Sequence, residues 1–176
     1  MRGPPSVAGV SDLLGDLVRA VGELPVLLRN GYLDVVVAND LAQRLTAAFT
    51  PGTNIARSAF LDPGASRATT PWEATARDVA GLLRERSAEH LDDPRFRGLV
   101  GELAARSDDF NRAWQAGVPP RPGTGSFAVE HPVVGRLALT WVDLLAPAQP
   151  PGLTLTVVRP DDATTAQRLQ SLRTRP

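Results

Sequence analysis

Catalysis needs nucleophiles, acid–base groups or metal ligands, and this chain of 176 residues holds few of them. It contains no Cys and no Lys, which excludes a thiol nucleophile, a disulfide frame, Cys-ligated zinc, a Schiff-base lysine and a P-loop lysine. His90 and His131 are the only histidines, so a three-His zinc site is impossible, and neither has the i, i+4 partner of a helical metal site. No metal is expected. His131 precedes Pro132 at a strand turn and reads as a side chain tied to the turn backbone.

Acid pairs stand at Asp92-Asp93, Asp108-Asp109 and Asp161-Asp162, and carboxylates are the stuff of general acid–base catalysis. All three pairs fall at expected helix starts, where a carboxylate accepts orphan N–H groups and favours the helix dipole. Capping is the simpler role. Gly123-Thr124-Gly125-Ser126 looks like a phosphate-cradling loop but precedes a strand, whereas such loops open helices. No Gly-x-Ser-x-Gly elbow occurs. The chain therefore reads as a binding or interaction module, not an enzyme, with no cofactor.

The charge balance narrows the partners. Nineteen basic residues, all Arg, match 19 acidic ones, for a formal net charge of zero. A free-standing nucleic-acid binder would carry a basic excess to neutralise phosphates. Here the arginines are interleaved with acids, as in Arg84-Glu85-Arg86, which describes a mixed-sign solvated surface. No apolar run approaches the roughly 20 residues that span a bilayer. The opening MRGPPSVAGV lacks the apolar segment of a signal peptide, so the expected location is cytoplasmic, away from membranes.

Periodicity predicts the helices and strands that carry these residues. Residues 1–10, rich in Gly and Pro, read as a linker or arm, and 11–176 as one domain. Ser11 is placed to cap a helix whose Leu13, Leu14, Leu17, Val18 and Val21 share one apolar face. Apolar runs on either side of Asn30-Gly31 predict strands at 25–29 and 33–38, with the turn at the two residues that tolerate positive φ. Asn39 or Asp40 opens a helix carrying Leu41, Leu45 and Phe49, and a short helix follows at 54–60. Thr70-Pro71-Trp72-Glu73 has the form of a capping box with Pro at N1. It starts a helix with Trp72, Ala76, Val79 and Leu83 on one face. Asp93-Pro94 starts another with Phe96, Leu99, Val100 and Leu103, and Ser107 a third with Phe110, Ala113 and Trp114.

After residues 117–125 the period drops from 3.6 to 2. Phe127, Val129 and His131 alternate with small or polar residues, as do Leu137, Leu139 and Trp141, and Leu155 and Val157 against Thr154 and Thr156. A last helix carries Ala166, Leu169 and Leu172. The order predicts an α+β fold: a PAS-like five-stranded antiparallel sheet with helices on one face, a helical insert between strands 2 and 3, and flanking terminal helices. Trp72, Val79, Leu83, Phe96, Leu103, Phe110 and Trp114 from helices, with Leu139 and Trp141 from a strand, are expected to face one interior. From pattern alone an ordinary packed core is favoured over a ligand cavity.

As a set, these motifs carry a family resemblance. LDVVVAN (Leu33 to Asn39), NIARSAFLDP (Asn54 to Pro63), Pro71-Trp72-Glu73, VGEL (Val100 to Leu103), SDDFNRAW (Ser107 to Trp114), HPVVG (His131 to Gly135), Leu137 to Leu139 and Pro151-Gly152-Leu153 occur in one order. The chain resembles, over residues 11–172, the MmyB-like ligand-binding domain. That is the PAS-like C-terminal module of actinobacterial and other bacterial regulators of the XRE helix-turn-helix family.

The resemblance implies a hydrophobic cavity for a fatty-acid-like or similar amphipathic small molecule, coupled to control of transcription. It raises the cavity above the packed core. On that footing the expected ligand-binding residues are Arg57, Phe60, Trp72, Val79, Leu83, Leu103, Phe110, Trp114 and Trp141, with Arg57 as counter-charge for a carboxylate. A surface pair with a nearby acid is the other role open to Arg57. Three positions depart from the family pattern. Ala116 to Pro119 replaces a His-containing segment, Gly125 stands for a basic residue, and Trp141 stands for a smaller Tyr and would fill part of any cavity. Only about ten residues precede Ser11, so DNA contact is expected only through a helix-turn-helix module outside this chain. The alternative function is a dimerisation or interaction module without a ligand, left from a truncated regulator and associating as a homodimer through Leu13 and Leu17.

Overall fold

The computed structural model describes residues 12–62, 64, 72–87, 92–117, 123–145 and 153–174. The expected capping pair Thr70-Pro71, together with Ser11, His90 and Pro151-Gly152, lies outside them. Five strands form one antiparallel sheet: β1 (Val26–Arg29), β2 (Val35–Ala38), β3 (Thr124–His131), β4 (Gly135–Leu145) and β5 (Thr154–Pro160). Their spatial order is β2-β1-β5-β4-β3. The last strand in sequence therefore sits in the middle, pairing β1 on one side and β4 on the other. Seven α-helices accompany the sheet among the described residues: α1 (Asp12–Ala20), α2 (Asp40–Leu45), α3 (Ile55–Leu61), α4 (Trp72–Ser87), α5 (Pro94–Arg106), α6 (Asp108–Gln115) and α7 (Ala163–Thr174). The α+β class, the five strands and the insert between β2 and β3 are as the sequence order predicts.

The first hairpin differs in detail. Positive φ falls on Leu33, at 65°, and not on Asn30 or Gly31. Asn30 fixes the turn by accepting the N–H groups of Tyr32 and Asp34 at its side-chain oxygen, both at 3.0 Å, while Leu33 N–H donates to its carbonyl. A left-handed Leu costs roughly 1–2 kcal/mol. Leu33 is only 1% exposed, so burial of its side chain offsets that strain. β2 accordingly starts at Val35, two residues later than the apolar run predicts.

The helix expected to run through Phe49 also breaks. Thr46, at φ −160°, ends α2, and its hydroxyl accepts the N–H of Ala48 to open a separate 3₁₀ turn, Ala47–Phe49. Elsewhere the caps follow the residue types. Asp93 accepts the N–H of Arg95 at 2.8 Å, Ser107 that of Phe110 at 3.1 Å, and Asp162 that of Thr165 at 2.6 Å. The backbone hydrogen bond from Thr165 holds the Asp162 carboxyl below its usual range.

Asn39 is the densest local joint. Its side-chain oxygen accepts from Ala42 N–H, capping α2, and from Val26 N–H, while its amide donates to the carbonyls of Val21 and Leu24. One buried amide thus ties the end of α1, β1 and α2 together.

Packing separates three apolar clusters. Leu27, Leu137, Leu139 and Val158 on the sheet meet Leu45 and Phe49 below and Leu169 of α7. Phe60, Val79, Leu83, Leu103 and Phe110 form a second core inside the insert itself. Val18 of α1 packs on Val26, Leu28 and Val36, the opposite face of the sheet. Two sequence expectations are corrected here. The helices do not all lie on one face, because α1 covers the other. The aromatic and aliphatic positions of the insert do not share one interior with Leu139, because four helices are enough to close a core of their own.

β5 shows the same two-sidedness. Thr154 and Thr156 are 1% and 6% exposed, whereas Leu155 and Val157 turn toward the α1 cluster. On this strand the threonines face the larger interior.

Candidate functional site

Between the sheet and the insert, where those two cores fail to meet, lies a cavity of about 480 Å³. Its size falls within the range typical of small-molecule sites. The 3₁₀ turn supplies Ala48 and Phe49, α3 supplies Ile55 and Ala59, and α4 supplies Trp72, Val79 and Leu82. Leu27, Phe127, Val129 and Trp141 complete the wall from the sheet. The wall is mostly apolar, with hydroxyls from Thr46, Thr53, Ser58 and Ser126.

An ion pair is built into this wall. Arg29 of β1 and Asp143 of β4 form an ion pair across the intervening β5, with side chains 6% and 7% exposed. Thr156 of β5 joins both: its hydroxyl accepts from Arg29 Nε at 3.3 Å and donates to Asp143 at 2.6 Å. The register explains the meeting, since Asp143 lies opposite Thr156, and Leu27 opposite Thr156 on the other side. Arg29, two residues on from Leu27, shares its face of the sheet. Burial pulls the Arg29 pKa down from its ordinary value, and the charge of Asp143 opposes that shift.

Trp141 reaches its place because Gly125 lies opposite it on β3. A Cβ on Gly125 would come within 2.4 Å of Asp78 Oδ2 and 2.6 Å of the indole of Trp141. Thr124 fixes the same strand pair by donating from its hydroxyl to the Trp141 carbonyl at 2.9 Å.

Of the residues expected at the site, the structure places Trp72, Val79 and Trp141 in the cavity wall. Phe60, Leu83, Leu103 and Phe110 lie in the insert core behind it. Trp72, Phe60, Phe110 and Trp114 form an aromatic row, with successive centroids 5.8, 5.2 and 5.3 Å apart, so that only its Trp72 end touches the cavity. Trp114 at the far end lies under the guanidinium of Arg84, 4.9 Å from the ring centroid. Arg57 is half-exposed and pairs with Glu102 at 2.8 Å, away from the cavity lining.

The pair missed by sequence reasoning is Arg29 and Asp143. A signal existed. Each charge adjoins apolar neighbours in its strand, Arg29 after VLL at the end of β1 and Asp143 between WV and LL in β4, and a charge in such a run is seldom buried without a partner.

The remaining chemistry is structural. His131 donates from Nε2 to the carbonyl of Arg44 at 3.0 Å, and its Nδ1 accepts from Val133 and Val134, tying it to the turn. Among the described residues no cluster of three His, Asp or Glu side chains is placed to hold a metal, and no helix is long and apolar enough to cross a membrane.

No curated relative matches the chain. Over residues 10–172 the sequence matches the family described as MmyB-like transcription regulator ligand binding domain, and the chain belongs to that family.

Proposed function

We propose that this domain senses a hydrophobic small molecule in the cavity between sheet and insert, and relays occupancy to a helix-turn-helix module that contacts DNA. The observation that carries the reading is the mostly apolar cavity of about 480 Å³ left between the sheet core and the insert core. A fatty-acid-sized chain suits that volume, and the scarcity of catalytic groups favours a binder over an enzyme.

Signalling follows from differential affinity: a ligand shifts the domain only to the extent that it binds one arrangement better than another. β1 is the natural carrier. Leu27 and Arg29 face the cavity, while Val26 and Leu28 on its other face support α1. A cytoplasmic location and action within a bacterial XRE-type regulator fit this role.

Native mass spectrometry and thermal shift on purified, delipidated protein test it. A panel of apolar-chain compounds is expected to leave retained mass and a raised Tm. No retention and no shift across the panel would favour a dimerisation module, for which the half-exposed Leu17 on α1 is the supporting feature.

A further inference from the structure

We infer that the ligand of this cavity carries an electrically neutral, hydrogen-bonding head and is not a carboxylate; this rests on the sensor reading above. Arg29 is the only basic residue among the described lining residues. Its positive charge is already taken up by Asp143, buried beside it and hydrogen-bonded through Thr156. A carboxylate entering this wall would lose its water and find no net positive charge in return, because an ion pair attracts a third charge only weakly. The other charged lining residues, Asp62 and Asp78, are acids and supply no cation.

A neutral oxygen meets a different wall. Arg29 uses Nε on Thr156 and Nη2 on Asp143, and among the described residues its Nη1 makes no protein hydrogen bond. A carbonyl, hydroxyl or amide oxygen can accept from such a donor without bringing a charge to be compensated. The hydroxyls of Thr46 and Ser58 in the same wall add donors and acceptors of the same neutral kind. An amphipathic alcohol, ester, lactone or amide is the class this site would take.

The test compares dodecanoic acid with dodecanol, methyl dodecanoate and dodecanamide at neutral pH, by native mass spectrometry and by fluorescence of Trp72 and Trp141 in the wall. The neutral compounds are expected to bind about tenfold or more tightly than the acid. Asp143→Asn leaves Arg29 without its counter-charge and is expected to reverse or erase that preference. Equal or tighter binding of the acid to the native protein overturns the inference and leaves the sensor reading standing. A folded Asp143→Asn protein with an unchanged ranking overturns it too. If none of the four compounds binds, the sensor reading itself falls. The ranking on the native protein decides the matter even where the variant does not fold.

Discussion

Arg29 and Asp143 lie on strands that do not touch, yet their side chains pair across β5 with Thr156 as the link. Three strands from opposite ends of the sequence are thereby pinned at the cavity wall. Removing one partner leaves the other buried and charged, so Arg29→Met is expected to cost about 3–5 kcal/mol, whereas the double variant Arg29→Met/Asp143→Leu costs much less than the sum of its parts. Urea unfolding of the two single variants and the double variant measures the coupling. Additive losses would show that the pair does not act as a unit.

The two inward threonines of β5 should respond oppositely. Thr154 Oγ1 is buried with no hydrogen-bond partner among the described residues, so Thr154→Val is expected to be neutral or stabilising by up to about 1 kcal/mol. Thr156→Val removes the link between Arg29 and Asp143 and is expected to cost about 1–3 kcal/mol. Thermal denaturation of the two variants side by side makes the comparison.

Gly125 keeps the space that Trp141 and Asp78 occupy. Gly125→Ala places a Cβ inside contact distance of both and must displace the indole. The expected result is a loss of about 1–3 kcal/mol, with a changed Trp fluorescence and weaker ligand binding because Trp141 lines the cavity. An unaltered emission spectrum would contradict the crowding.

Asn39 satisfies four backbone groups with one side chain. Asn39→Ala loses the cap of α2 and strands the Val26 N–H and two carbonyls, for an expected cost of about 2–4 kcal/mol. Hydrogen exchange should show the loss first at Val26 and Ala42, the two donors released.

Arg57 and Glu102 offer a pH test at the surface. The hydrogen bond from Arg57 lowers the Glu102 pKa, so the folded state prefers the ionised carboxylate. That contribution is full above the unfolded value near about pH 4.3 and fades as pH falls through the lower folded value. Because the pair is substantially exposed, Arg57→Ala is expected to cost less than about 1 kcal/mol at pH 7, and nothing once Glu102 is protonated. Ligand affinity should not change, since Arg57 is away from the lining. A large drop in affinity would return Arg57 to the site.

Much of the fold is legible in local chemistry. Asp93, Ser107 and Asp162 are capping types and do cap, and the switch of period after residue 117 marks where helices give way to strands. Leu33 and Thr46 were not legible in this way. A left-handed Leu is tolerated only because its side chain is buried among α3, α4 and α5. The break at Thr46 depends on Phe49 reaching the sheet core. The candidate site was legible at Trp72, Val79 and Trp141, whose spacing puts them on inward faces. Leu83, Leu103 and Phe110 have the same spacing, and nothing in a periodic pattern says which interior a face will meet.

Residue types and their short-range spacing are enough for the local grammar of the chain. The sequence alone excluded thiol and amine chemistry, set the strand and helix order, and held enough ordered motifs to mark the family, because these depend on residue type and short spacing. Tertiary structure alone decided that β5 would lie between β1 and β4, and so that Arg29 and Asp143, 114 residues apart in the chain, would neutralise each other in the cavity wall. A buried charge is costly alone and acceptable when paired, and pairing between distant strands is a property of the folded sheet, not of any segment of the chain.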